Sequence, residues 1–115
     1  MEIIAHQLPE KRIAEIVSDT LLINTAKDGL NILVDLYYQQ FDKIILQEHH
    51  ITPHFFELKT GIAGELLQKF SNYRMQLSIV GTFENYTSDS IQRFFKESNK
   101  TGNISFVQSL EQALC

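Results

Sequence analysis

Lys43-Ile44-Ile45-Leu46-Gln47 is the stretch on which the fold of this chain turns. It is short, apolar through its centre and rich in β-branched residues, the pattern of a strand covered on both faces by helices. Such a strand pairs in parallel with its neighbours, and parallel neighbours need a crossover helix on either side. Upstream, Ala26, Leu30, Leu33, Val34, Tyr37 and Phe41 recur at steps of three, four and one, the apolar stripe of a helix, with Asn24 expected as its N-cap. Downstream, Thr52-Pro53 reads as a helix start, since threonine can cap and the fixed φ of proline suits the first helical position. That turn carries Phe55, Phe56 and Leu58. Ile62, Ala63, Leu66, Leu67, Phe70 and Tyr73 form a second helical stripe, with Gly61 as the point where the two segments can break.

The same reading extends to both ends. Ile3-Ile4-Ala5 and Arg12 to Val17 flank Pro9-Glu10-Lys11 and predict a hairpin. Met75 to Gly81 alternates and ends on glycine, as a strand entering a tight loop does. Thr87 or Ser88 can cap a helix containing Ile91, Phe94 and Phe95, which Lys100-Thr101-Gly102-Asn103 terminates. Ile104 to Val107 is a last strand, and Ser109-Leu110-Glu111-Gln112 fits a capping box opening a terminal helix. The order is ββαβαβαβα, which predicts one α/β domain over residues 1–115 with a mixed sheet of about five strands and four helices. In such sheets ligands sit beyond the carboxyl ends of strands at a switch in strand order. The loops Glu48 to Pro53, Gly81 to Tyr86 and Gln108-Ser109 are placed there.

Composition narrows the function classes. At 115 residues the chain is too short for two domains, and fourteen acidic against ten basic side chains give a net charge of −4, which argues against a binder of nucleic-acid phosphates. A single cysteine, Cys115, cannot staple the fold. No apolar run approaches the ~18 residues of a membrane span and no basic signal-peptide start is present, so no membrane partner and a cytoplasmic location are expected.

Leu58-Lys59-Thr60-Gly61-Ile62-Ala63-Gly64-Glu65 is the densest segment chemically, because lysine, threonine and two glycines meet at a helix start where backbone N–H groups favour anions. Lys59, Thr60, Gly61 and Gly64 are the candidates for an anion pocket, or Thr60 for a phosphate acceptor. Lysine and threonine precede the glycine, so this is not a P-loop. The plainer reading is that Thr60 caps the helix while Gly61 and Gly64 let it approach the sheet. His49, His50 and His54 beside Glu48 and Glu57 are metal-ligand residue types, but the loop-to-helix junction and the lack of an H-E-x-x-H pattern favour a solvated or partly buried loop and no metal. Glu48, directly after the central strand, is the better candidate for a functional carboxylate, with a capping or turn acceptor as its equal alternative. No nucleophilic triad can be assembled, no cofactor is expected, and Lys69, Arg74, Arg93 and Lys96 are interspersed with acids on a solvated face.

From Phe55 to Gly81, in Phe94 to Lys100 and in Phe106 to Ala113, the chain closely resembles a bacterial family of domains of unknown function, DUF4180. A more distant likeness lies in the element order, the gap between Ile44-Ile45-Leu46 and Thr60-Gly61, and the closing Ser-Leu-Glu-Gln-Ala-Leu, which look like a STAS domain. That resemblance implies a small switch that binds a protein partner and is turned off by phosphorylation of a serine or threonine before a glycine at the start of the second helix. Thr60, followed by Gly61, matches the acceptor position. The Asp-Ser-Ser-Gly usual there reads Leu58-Lys59-Thr60-Gly61, without the aspartate. The expected function is a non-enzymatic STAS-like regulatory or protein-interaction module, with Glu48, Phe55, Phe56, Glu57 and Asn99 as its contact surface. A homodimer through Phe55, Phe56 and Tyr73 is a further possibility of the same block. The rival is a small-molecule binder or enzyme with a cleft joining Glu48, Lys59, Thr60 and Asn99; a deep pocket holding them would favour it, a flat surface the interaction module.

Overall fold

In the computed structural model, which describes residues 1–115, two antiparallel strands come first, β1 (Glu2–Gln7) and β2 (Arg12–Val17). Helix α1 (Ala26–Tyr38) leads to β3 (Lys43–Gln47), and three short 3₁₀ turns (Glu48–His50, Pro53–Phe56, Leu58–Thr60) lead to α2 (Ile62–Asn72). Then come β4 (Gln76–Val80), α3 (Asp89–Thr101), β5 (Ile104–Val107) and α4 (Leu110–Leu114). The strands lie in the order β1-β2-β3-β4-β5, and every pair after the first is parallel.

That order contains no reversal, so the switch expected in the strand order is absent. Right-handed crossovers that always step the same way along a sheet put their helices on the same face. Accordingly Ala14, Ile16, Ile44, Leu46, Leu77, Ile79, Ile104 and Phe106 point into one large core with residues of α1, α2 and α3. The alternate residues Ile13, Ile45 and Val80 form a small second core under α4 through Ala113. Lys43, 6% exposed, also points to this thinner side and donates its ammonium to the Ala113 carbonyl at the end of α4. Burial, and then the nearby Lys11, hold its pKa below the usual lysine value.

Local chemistry sets the helix ends. The N-cap of α1 is Thr25 rather than Asn24: its hydroxyl accepts from the Asp28 N–H (3.2 Å), and the Asp28 carboxylate accepts from the N–H groups of Thr25 and Asn24. Those two bonds hold the Asp28 carboxyl below its usual pKa. The buried face of α1 is Gly29, Leu33 and Leu36, so Tyr37 turns outward and Phe41 is buried beyond the helix end. Ser109 caps α4 by accepting from Gln112, whose side chain reaches one residue further back, to the Gln108 N–H.

The two edges of the sheet differ. On β5, side chains of α3 replace a neighbouring strand: Ser98 donates to the Ile104 carbonyl, and Asn99 both donates to the Phe106 carbonyl (3.2 Å) and accepts from its N–H (2.6 Å). On β1, Ile4 stays 45% exposed at the open edge.

Candidate functional site

Because every parallel strand runs the same way, the loops after β3 and β4 emerge side by side, and there the expected segments meet. Glu48 follows β3 directly and lies over Gly81, where an added Cβ would overlap Glu48 Oε1 and stand 2.6 Å from the Glu48 Cβ. Oε1 accepts the Phe83 N–H at 3.2 Å, which holds the β4–α3 loop in place, with Phe83 at a positive φ of 56°. Gly81 is therefore required by contact rather than by backbone conformation. Gly81→Ala is expected to lose about 1–3 kcal/mol in urea unfolding by overpacking, and the loss should persist in the Glu48→Ala background because the Glu48 Cβ remains. Wild-type stability for Gly81→Ala would show that the loop simply moves aside.

Beside this contact is an open cleft of about 470 Å³, lined by Gln47, Glu48, His49, Thr82 and Tyr86 among others. Tyr86 stacks on Phe56 with ring centroids 4.2 Å apart. Burial first, and then the carboxylates of Glu48 and Glu57, raise its phenol above the usual pKa.

His50 corrects the expectation of a solvated or partly buried histidine loop. It is fully buried; its Nδ1 accepts the Gln47 N–H (2.9 Å) and its Nε2 donates to the Ser18 carbonyl (2.9 Å). His49 donates to the same Ser18 carbonyl at 3.1 Å, while His54 faces Glu57 at 3.4 Å. The three rings serve different partners, and no three His, Cys, Asp or Glu side chains are gathered around a common point. Nothing in residues 43–54 alone signals the burial of His50, because the segment that covers it, Ser18 to Ile23, is distant in sequence and joins through Leu22 and Ile23 N–H groups donating to the His50 carbonyl.

Lys59, Thr60, Gly61 and Gly64 do come together at the start of α2. Thr60 is exposed, and its hydroxyl is shared between the carbonyls of His54 (2.8 Å) and Glu57 (2.9 Å), with the Ile62 N–H 3.4 Å from the same oxygen. The helix N-cap is Gly61, not Thr60: at φ 81° it takes the left-handed conformation that glycine adopts without strain, and it supplies no side-chain cap. Gly64 has open space where a Cβ would stand, so neither glycine serves a close approach to the sheet. The close approach is at Gly29, whose Cβ would lie 2.5 Å from Leu66.

The expected contact surface is dispersed. Phe55 is 0% and Phe56 5% exposed, packed with Phe106 and Tyr86 in the large core, so neither can form a homodimer face. Their four-residue 3₁₀ turn lies over the sheet instead of starting an α-helix, and so turns both rings inward. Asn99 seals β5. Glu48, Lys59 and Asn99 line three different depressions, the last running along α3 alone, so the cleft of the rival reading is not assembled.

The chain matches the family described as Domain of unknown function (DUF4180) over residues 9–115. No curated protein and no solved structure matches it. No helix is long and apolar enough to cross a membrane.

Proposed function

We propose, on the premise that the chain belongs to the DUF4180 family, that it is a non-enzymatic, STAS-like regulatory module of the cytosol that binds a protein partner and is switched by phosphorylation of Thr60. The observation that carries the reading is the exposed Thr60 hydroxyl at the start of α2, where the N-cap Gly61 supplies no side-chain cap and the Ile62 N–H meets only that hydroxyl, at 3.4 Å. The first turn of a helix leaves such groups unpaired, and they favour negative charge. A phosphate on Thr60 Oγ1 adds about two negative charges beside them and beside Lys59. It also removes the O–H that ties the turn to the His54 and Glu57 carbonyls. The modification thereby releases the connection between β3 and α2 while recharging its surface, already acidic through Glu57 and Glu65. A partner surface bearing carboxylates is repelled.

Incubation with ATP and an extract of the source cells, followed by intact-mass measurement, is expected to add one phosphate to the wild type and none to Thr60→Ala. No added mass, or the same addition in Thr60→Ala, would remove the switch.

A further inference from the structure

The asymmetry between the two sheet edges has a direct structural reading. An exposed edge strand presents unpaired N–H and C=O groups that invite another strand unless charge, proline or a covering element blocks it. The β5 edge is blocked by Ser98 and Asn99. Glu2-Ile3-Ile4-Ala5-His6-Gln7 carries no lysine or proline, and its only strand partner is β2.

The hydrogen-bonding phase of β1 follows from the hairpin. Leu8 donates to the Lys11 carbonyl at 2.9 Å, which makes Leu8 and Lys11 a hydrogen-bonded pair. Pairs alternate along an antiparallel ladder, so His6–Ile13 and Ile4–Glu15 are also bonded, while Gln7–Arg12, Ala5–Ala14 and Ile3–Ile16 turn their backbone groups away from each other. Arg12 agrees, since its N–H and carbonyl are used on the β3 side by Asp42. The groups that β1 presents to its open edge are those of Ile3, Ala5 and Gln7.

A second β1 that meets this edge about a two-fold axis must pair outward residues with outward residues. Pairing Ile3 with Ala5 satisfies that phase and puts Ile4 opposite Ile4 on the axis. It also sets Glu2 of each copy opposite His6 of the other, whose Nε2 already meets the Glu15 carboxylate of its own chain at 2.8 Å and whose Nδ1 is left for the second copy. All three sit at non-hydrogen-bonded positions, where facing side chains are closest. Centring the junction on Ala5 or Ile3 instead loses the Glu2–His6 match. Ile4 is 45% exposed, and Val17, paired with Glu2 on the same face, is 40% exposed. On this face α4 packs over Ile13, Ile45 and Val80, with Leu8 and Val107 at the margin of the cluster, and Ile4 lies outside it.

We infer that two copies of this chain associate through β1, as an antiparallel junction with Ile4 on the two-fold axis and Glu2 facing His6 across it. The two sheets become continuous. The axis is perpendicular to the sheet, so both sets of α1–α3 lie on one side and both α4 helices on the other, with the Thr60 surfaces free.

Light scattering coupled to size exclusion over a dilution series, with circular dichroism and melting temperature as folding controls, tests the inference. The wild type is expected to run as a dimer that dissociates to the 13.3 kDa monomer on dilution. Ile4→Lys puts like charges on the axis, and Ala5→Pro removes an edge donor without touching the β1–β2 ladder; each is expected to raise the dissociation constant at least about tenfold, equivalent to ~1.4 kcal/mol. Glu2→Lys should weaken the dimer as well. A wild type that stays monomeric throughout overturns the inference, and so does a dimer that persists in Ile4→Lys. The latter substitution is at an exposed site and decides the matter if Ala5→Pro does not fold.

Discussion

Phe55→Ala is expected to cost about 3–5 kcal/mol, the range for truncating a fully buried aromatic side chain. Phe55 is 0% exposed and packs edge-on to Phe56 with centroids 5.0 Å apart, and its ring also approaches Phe106 on β5. It therefore ties the 3₁₀ connection after β3 to the β5 edge of the sheet. Domains of this kind are stable by only about 5–15 kcal/mol, so the change removes a large part of the total. A fall in melting temperature on the order of 10–20 °C follows for a chain of this length. Urea and thermal unfolding of the variant are the measurements. Wild-type stability in Phe55→Ala would place the ring outside the core and restore it as a contact residue.

The second large effect centres on His50. Its ring fills a fully buried position and pairs two backbone groups, so His50→Ala leaves a cavity, orphans the Gln47 N–H and leaves the Ser18 carbonyl to His49 alone, and should lose about 2–5 kcal/mol. Burial, more than the neighbouring His49, lowers its pKa below the ordinary histidine value of 6.5, while the Ser18 bond acts in the opposite direction. The unfolded chain then takes up a proton at this residue at higher pH than the folded chain does. Its contribution is complete above pH about 6.5 and is lost as pH falls below that value, levelling once the folded residue also protonates. Urea midpoints between pH 8 and pH 5 should fall for the wild type more steeply than for His50→Asn, which keeps an acceptor toward Gln47 but does not titrate. The other histidines are common to both proteins, so the difference between the two curves isolates His50. Parallel curves would show that the buried ring is already charged or that water reaches it.

Residues 43–47 show how much was legible. Their apolar run between helical stripes sufficed to place an interior parallel strand, and from it the α/β class and the ββαβαβαβα order. Gly61 was readable as a break and is one, at a positive φ that favours glycine. The candidate site was readable in part. Thr60 and Lys59 are where a helix start was expected, and Glu48 does sit at the end of the central strand. Phe55 and Phe56 were misplaced because a 3₁₀ turn and the first turn of an α-helix share the same threonine-proline opening, and only the packing above the sheet distinguishes which way the rings turn.

By itself the sequence determined what depends on neighbours a few positions apart: strand and helix periods, the Ser109 cap, an α3 cap at Thr87 or Ser88, and the hairpin whose length sets the bonding phase of β1. The tertiary structure alone decided which polar groups are buried and which edge is closed. His50 meets Ser18 across 32 residues, Glu48 meets Phe83 across 35, and the one-directional strand order brings the loops after β3 and β4 together. These outcomes depend on contacts between distant segments, whose cost in chain entropy is met only once the whole sheet has formed, so no local pattern could announce them.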